Sequence, residues 1–397
     1  MKQKEKNITA AVIMISIALT MRQMSMSIVA PFLSTYCRTL AGYTPLAAGL
    51  TLGIFGLMQA IFQTPFGMLS DRFGNKRIML SGLAVTIIGL ILAWKAQTIY
   101  LLIAARALQG SGAIIGVGYA WTAGIAPESK RTKAMGILSL MVSSGAAAAF
   151  ILGPILRKFM KVNQIFLICA VVIILTGLYI LLFIPDTGKK KEIKQVSTAA
   201  FGKLIKNRKF MSLSVSAFLN NFMMMSIFFA LPVYLTSLLN ETELWIVFIP
   251  AILFAFLTMR IAVRVTDQGN GSKVLFLSFI ISTLSILLFF DKNNLSILVF
   301  GTTIFFGSYA ALAAVIASEV NMSVADEYRG TANGMFNALQ YLGNFAGAVV
   351  TGFLWKFSDK EAMLPVIGTG IAGIAITVLM RQKREKPNKK EQYKHER

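Results

Sequence analysis

The fold follows from PLAAGLTLGIFGLMQAIFQTPFGML (45–69) and RIMLSGLAVTIIGLILAWKA (77–96), two apolar stretches joined by the polar turn SDRFGNK (70–76). A helix needs about 20 predominantly apolar residues to cross the hydrocarbon core of a bilayer. Because lipid offers no hydrogen-bond partners to bare backbone groups, stretches of this length must be helices. The sequence therefore predicts two membrane-spanning helices connected by a short charged turn.

The same alternation of apolar stretches and polar turns continues along all 397 residues, of which 56% are hydrophobic. A soluble chain usually contains about 45–50% apolar residues. The predicted spans are 8–32, 45–69, 77–96, 99–125, 134–156, 164–185, 210–235, 244–263, 274–290, 295–320, 332–355 and 362–380. The prediction is an all-α membrane protein with twelve transmembrane helices.

A polar, basic stretch at 186–209 separates the first six spans from the last six. The predicted organisation is an N-terminal six-helix bundle (1–185), a cytoplasmic basic linker (186–209), a C-terminal six-helix bundle (210–380) and a basic cytoplasmic tail (381–397). We attribute the basic residues of the linker to topology and to attraction by anionic lipid head groups. A regulatory or partner-binding site in the linker is the alternative.

Lysine and arginine are distributed unevenly between the two faces of the predicted bundle. Of the 39, 29 lie in the tails and turns of one face, 8 lie on the other face, and Arg22 and Arg106 lie inside spans. Because cytoplasmic loops are enriched in Lys and Arg, both termini are predicted to be cytoplasmic, in the inner membrane of a bacterium. The net charge of +22 then reflects topology, and no nucleic-acid partner is predicted.

Neither catalysis nor metal binding is indicated. Cys37 and Cys169 belong to no CxxC or metal-binding pattern, and the single histidine, His395, lies in the tail. The apolar stretches contain no nucleophile–base set and no pair of acids. We therefore predict that the chain is not an enzyme and has no metal or cofactor, and we expect a monomer.

The two halves repeat each other at an offset of about 198 residues. The matched pairs are Arg131 with Arg329, Ala134 with Ala332, Gly136 with Gly334 and Gly145 with Gly343. Parallel repeats related by an axis along the membrane normal are a transporter architecture, with the substrate site near the midplane between them. The sequence therefore predicts two pseudo-symmetric six-helix bundles around a central site.

Three motifs resemble those of a known transporter family. The turn GMLSDRFGNKR (67–77) is similar to the signature between the second and third spans of the major facilitator superfamily. RALQGSG (106–112) resembles the fourth-span motif of its drug:proton antiporter branch, and GIFGLMQAIFQTPFG (53–67) is particularly similar to the YajR-like efflux group. The resemblance covers nearly the whole chain and implies that Arg106 takes part in proton coupling; helix packing through hydrogen bonds to carbonyls is the alternative for this arginine. Arg157 and Lys158 stand where the fifth-span motif of this branch has a glycine pair.

The turn after the second span predicts a conformational latch. Its residues are Gly67, Asp71, Arg72, Gly74 and Arg131. Asp71 can pair with Arg131 or with the positive N-terminal end of the eleventh span, which would link the halves while the cytoplasmic side is closed. The alternative is a surface turn in which Asp71 is solvated.

Polar residues inside spans predict a substrate cavity. A lone arginine near the bilayer centre costs roughly 2.5–3.5 kcal/mol, so Arg22 should face a wet cavity or a partner. The predicted cavity residues are Arg22, Gln23, Met26, Asn220, Asn221, Phe228, Asn337, Gln340 and Asn344. Spacings of three and four place the last three on one face of the eleventh span. Interhelical hydrogen bonding is the alternative for the amides, and ordinary core filling for the methionine.

Acids are absent from the middle of every span. A central arginine without a central acid favours anionic, zwitterionic or neutral amphipathic ligands over cationic drugs. Glu319, near the cytoplasmic end of the tenth span, and Arg106 are the candidates for proton coupling. We predict a proton-coupled, alternating-access exporter of amphipathic small molecules; the alternatives are a lipid or glycolipid flippase and an uptake facilitator for a small polar or anionic metabolite.

Overall fold

The computed structural model describes residues 2–184, 198–325 and 328–385, which are helical along nearly their whole length. The first half contains α1 (Lys2–Ser27), α2 (Leu33–Cys37), α3 (Pro45–Phe73), α4 (Asn75–Lys95), α5 (Ile99–Ser111), α6 (Ile115–Ile125), α7 (Arg131–Arg157) and α8 (Val162–Phe183). The second half contains α9 (Thr198–Lys206), α10 (Arg208–Leu235), α11 (Trp245–Val265), α12 (Gly271–Leu288), α13 (Leu295–Met322), α14 (Arg329–Leu354) and α15 (Asp359–Glu385). Residues 186–197 of the predicted linker (186–209) and 386–397 of the predicted tail (381–397) lie outside the described residues, and the rest of the linker contains α9 and the start of α10.

The helices of the described chain form the twelve predicted spans. α2 and α9 are too short to cross a bilayer, and α5 and α6 together form one span. We call the face at which α1 begins and α15 ends the basic face, and the other the opposite face. Local sequence sets the helix ends: the Thr44 hydroxyl accepts a hydrogen bond from the Ala47 N–H at the start of α3, and Gly74, with φ +93°, ends that helix.

Ten stretches of the described chain are long and apolar enough to cross a membrane, and one of them, Glu241–Leu288, contains both α11 and α12. The span that is not among them is α14, whose interior carries the predicted amides Asn337, Gln340 and Asn344. α14 packs between α3 and α10, so protein rather than lipid surrounds much of its polar face. An amide-bearing span is tolerated in a membrane when neighbouring helices cover it.

Two predicted spans are interrupted. Span 8–32 ends as an α-helix at Ser27, and Pro31 lies in the first turn of the short 3-10 helix Ala30–Phe32 that follows, where its missing N–H removes no helical hydrogen bond. Span 99–125 breaks at 112–114, between α5 and α6. The break places Gly112 against α4, where a methyl group at Gly112 would lie 2.5 Å from the Gly82 carbonyl oxygen.

The pseudo-symmetry predicted from the repeat is present in the packing. A methyl group added to Gly145 would lie 2.9 Å from the Thr20 carbonyl oxygen, and one added to Gly343 would lie 2.3 Å from that of Phe218. Gly343 and Phe218 each follow their first-half counterparts, Gly145 and Thr20, by 198 positions. α7 therefore packs on α1 through the same glycine contact by which α14 packs on α10.

Candidate substrate site

The two halves pack tightly against each other at the opposite face. A methyl group added to Gly49 of α3 would lie 2.4 Å from the carbonyl oxygen of Ala348 in α14. One added to Gly53 would lie 3.0 Å from the Phe345 carbonyl oxygen. Glycines at such contacts let helix backbones approach closely. The cleft between the halves is therefore closed at this face.

An ion pair also joins the halves at the opposite face. Arg157, at the end of α7, binds Glu241 before α11, with Nη2 2.7 Å and Nε 2.8 Å from the same carboxylate oxygen, Oε2. The Thr35 hydroxyl, in α2, donates to the other oxygen, Oε1, at 2.9 Å. Glu241 thus holds two first-half side chains. The arginine that stands in place of a motif glycine has this contact as its structural role.

At the basic face the halves diverge. A methyl group added to Gly67 in α3, Gly136 in α7 or Gly334 in α14 would meet no atom of another segment within 4 Å. α3 and α14 are the same helices whose other ends touch through Gly49 and Ala348. The cleft between the halves therefore opens toward the basic face.

The predicted latch residues lie at this open face. Asp71 is exposed. The Arg131 Nε donates to the Ala123 carbonyl oxygen at 3.1 Å instead of pairing with Asp71. Arg72 lies over the ring of its neighbour Phe73, with 5.2 Å between the guanidinium carbon and the ring centroid. Because the latch is expected only when the basic face is closed, its role stays a prediction.

Arg22 lies at the junction of the two halves. Its side chain is completely buried, and its Nη2 donates to the Gln59 Oε1 at 3.3 Å and to the Gly112 carbonyl oxygen at 3.2 Å. The break between α5 and α6 leaves that carbonyl available to a side chain. Tyr341 of α14 lies within electrostatic reach of Arg22. The Arg22 cation therefore has neutral hydrogen-bond partners in α3 and at the α5–α6 break. The Tyr341 phenol of the other half lies near it.

Arg106 forms a second buried cation beside the first. Its Nη1 donates to the Gln109 Oε1 at 2.7 Å, and Gln109 in turn donates to the Gly89 carbonyl oxygen. Both guanidinium groups lie over the ring of Phe55, with their central carbons 4.7 Å (Arg106) and 5.8 Å (Arg22) from the ring centroid. The Nε of each arginine is buried and has no hydrogen-bond partner. Sequence reasoning did not include Phe55 or Gln59, although a glutamine inside an apolar stretch signals a polar contact.

The position equivalent to Arg22 in the second half is Asn220, 198 residues later. Its Nδ2 donates to the Tyr309 carbonyl oxygen at 3.3 Å, while its buried Oδ1 has no partner. Asn221 donates to the Ala217 carbonyl oxygen and accepts from the Tyr309 hydroxyl at 3.4 Å. Asn221 is thus satisfied within the second half, whereas Asn220 keeps a free acceptor.

The remaining predicted cavity residues divide into two groups. Met26 and Phe228 are buried, and Phe228 stacks on Phe150 of the other half with 5.3 Å between the ring centroids. Gln23, Asn337, Gln340 and Asn344 are half-buried, and their side chains bond locally or lie at the α3–α14 contact. Phe228 therefore contacts the other half through Phe150, and it belongs to an aromatic contact separate from the hydrogen-bond partners of Arg22.

The two proton-coupling candidates belong to separate clusters. Glu319 of α13 is buried and pairs with Lys209, at the start of α10, at 2.8 Å. Arg106 contacts Phe55 and Gln109 in the first half. No direct contact links the two candidates in the described structure, so any coupling between them would pass through movement of the halves.

The sequence of this chain matches the family model described as Major Facilitator Superfamily, over residues 15–348 and 244–397. The chain belongs to the major facilitator superfamily. Members of this family are carriers, so the chain is a transporter that takes a small-molecule substrate. Its apolar helices and its relatives make it a multi-pass bacterial membrane protein.

Two curated relatives illustrate its place in the family. The chain is 29% identical to the inner membrane transport protein YajR of Escherichia coli over 365 residues, which cover 90% of this chain and 80% of that protein. It is 23% identical to the quinolone resistance protein NorA of Staphylococcus aureus over 380 residues, covering 91% and 94%. The first relation confirms the YajR-like resemblance of the motifs.

Solved structures share the fold. A bacterial homologue of the human lysosomal transporter Spinster, inward-facing and occupied, matches with a TM-score of 0.75 at 15% identity, covering 94% of this chain and 97% of that one. The likeness confirms the two-bundle, twelve-helix architecture.

Proposed function

We propose that this transporter is a secondary active exporter that carries amphipathic small molecules by alternating access and is driven by protons. The observation that supports this most directly is Arg22, a buried cation at the junction of two halves whose cleft is closed at one face only. A charge in that position is expected to line a substrate path.

The distribution of basic residues supports a cytoplasmic basic face. Lys and Arg are concentrated in its turns, as cytoplasmic loops are. The described conformation would then open to the cytoplasm, ready to receive a molecule from inside the cell. Export is also in line with the relative named for quinolone resistance.

In the proposed cycle, the two ends of the cleft exchange states. Closing the basic face would bring together the glycine faces of α3, α7 and α14 that now touch nothing. Opening the opposite face would separate Gly49 from Ala348 and break the pair between Arg157 and Glu241. A substrate held near Arg22 would thereby be passed from one side to the other.

Glu319 is the proposed proton carrier. Among the described residues it is the acid with a buried side chain, and it pairs with Lys209 across two helices. Protonation would remove the charge that holds Lys209, so proton exchange would loosen α13 from the start of α10. Arg106 would contribute through its contact with Phe55, which also touches Arg22.

A lipid flippase is the second candidate, because the cation at Arg22 and the basic rim also suit an anionic head group. Proteoliposomes that contain the purified chain distinguish the candidates. Efflux of a fluorescent amphipathic probe that stops when a protonophore dissipates the gradient supports the exporter. Gradient-independent translocation of a labelled phospholipid supports the flippase, and counterflow of a small polar metabolite without export supports a facilitator.

Glu319→Gln tests the coupling separately. It should abolish gradient-driven efflux while probe exchange without a gradient continues, and Glu361→Gln, at an exposed acid of the opposite face, is the matched control. Normal gradient-driven efflux in Glu319→Gln would contradict the assignment of this residue.

A further inference from the structure

We propose that the substrates of this exporter are organic anions whose acidic group pairs with Arg22. This inference rests on the proposed function and names the substrate class for the same site. It is carried by the charges and the free hydrogen-bonding groups around Arg22.

The first observation is the absence of a counter-charge. Arg22 and Arg106 are both buried and both face the ring of Phe55. Their hydrogen-bond acceptors are the amides Gln59 and Gln109 and the carbonyl of Gly112, all of them neutral. The whole sequence has no acid in the middle of any span. A buried charge without a partner of opposite sign is costly, so an arriving anion would be stabilised there.

The second observation is an unused edge of the Arg22 guanidinium. Nη2 makes two hydrogen bonds, one to the Gly112 carbonyl oxygen at 3.2 Å and one to the Gln59 Oε1 at 3.3 Å. The buried Nε makes none. A carboxylate, sulfonate or phosphate can bind Nε and Nη2 together, in the two-pronged geometry that arginine favours. Such a group would gain the free Nε and replace the long, neutral bond to Gln59.

The third observation is the asymmetry between equivalent positions. The first half presents Arg22, and the second half presents Asn220 with an unpaired Oδ1. The charged partner for an acidic group therefore lies in the first half, and the equivalent position of the second half offers a neutral acceptor. Phe55 and Tyr341, beside Arg22, offer aromatic surface to the apolar body of the ligand.

A cationic amphiphile has no comparable partner in this site. It would meet two arginines and no carboxylate, which is a like-charge contact. The site therefore discriminates by the sign of the charge.

The test uses probes that share a naphthalene body and differ in charge: 1-naphthoate and 1-naphthylmethylammonium. Binding to the purified chain in detergent is measured by calorimetry, and efflux by proteoliposome assay. The wild type should bind the naphthoate at least about tenfold more tightly than the ammonium compound. Arg22→Gln should lose about tenfold or more of its naphthoate affinity, and Arg22→Lys should keep part of it because the charge remains.

Arg38→Gln, at an exposed arginine, is the matched control and should bind naphthoate as the wild type does. If Arg22→Gln fails to fold, the preference of the wild type for naphthoate over the ammonium compound and the naphthoate affinity of Arg22→Lys still test the substrate class. Tighter binding of the ammonium compound, or equal naphthoate affinity in Arg22→Gln and wild type, would overturn the substrate class while efflux of either probe upholds the exporter. If correctly folded wild-type protein in proteoliposomes exported neither probe, both proposals would be overturned.

Discussion

The two ends of the central cleft use glycine in opposite ways. At the opposite face, Gly49 and Gly53 touch the backbone of α14, whereas Gly67, Gly136 and Gly334 at the basic face touch no other segment. A glycine inside a helix lowers stability by roughly 0.5–1 kcal/mol relative to alanine. At the closed face the close helix contacts that glycine permits offset this cost, whereas at the open face no such contact is made. The difference suggests that each half carries two packing surfaces, of which this conformation uses one.

The largest effect is expected at the closed face, from Gly49→Val. Its side chain would collide with the Ala348 carbonyl, which lies 2.4 Å from the first added carbon. Overpacking costs about 1–3 kcal/mol, which disfavours the described conformation by roughly fivefold to over a hundredfold. The efflux rate of reconstituted protein should fall accordingly. Gly124→Val, at an exposed glycine with no neighbour within 4 Å, should transport normally. Wild-type efflux in Gly49→Val would show that this contact is not needed.

A smaller and more selective effect is expected at the open face, from Gly136→Leu. The added side chain has room in this conformation, so the thermal unfolding midpoint should match that of the wild type. Turnover should fall by roughly tenfold if the basic face must close on this surface, at a cost of about 1.4 kcal/mol. The combination of unchanged melting and slowed efflux is the signature to measure. Normal turnover would remove α7 from the closing surface.

The smallest effect is expected from the ion pair at the closed face. The side chains of Arg157 and Glu241 are about a quarter exposed, at 26% and 24%. Such pairs are worth about 0–1 kcal/mol, so Arg157→Gln should shift the balance of states by at most about fivefold. The double reversal Arg157→Glu with Glu241→Arg should restore it, and Lys158→Gln is the neighbouring control. A loss that the reversal does not restore would point to packing instead of charge.

The span pattern was predictable because each span is a local property of its own residues. Burial of Arg22 was also predictable, since a lone arginine in mid-span needs a protein or wet environment. The break at 112–114 was not predictable from hydropathy, because it depends on the approach of α4 to Gly112. Pro31 carries a clearer local signal for the earlier end of α1.

The partners within the candidate site depend on contacts between distant helices. Gln59 of α3 accepts a hydrogen bond from Arg22, and Tyr341 of α14 lies within electrostatic reach of it; a single sequence does not state which amide or phenol lies near which cation. The contact between Arg157 and Glu241 has the same origin, since it joins the two halves. The repeat predicted that α1 and α10 are equivalent, and this equivalence singles out Asn220 as the counterpart of Arg22.

Transport by alternating access requires that the two ends of the cleft open and close in opposition. Spin labels at Lys133 and Met322 report on the basic face, and labels at Lys158 and Ser237 report on the opposite face; all four residues are exposed. Pulsed electron resonance measures both distances in lipid nanodiscs at two pH values, because protons are the proposed driving ion. We expect the distance at the basic face to shorten while that at the opposite face lengthens. Two distances that stay fixed, or that change in the same direction, would contradict it.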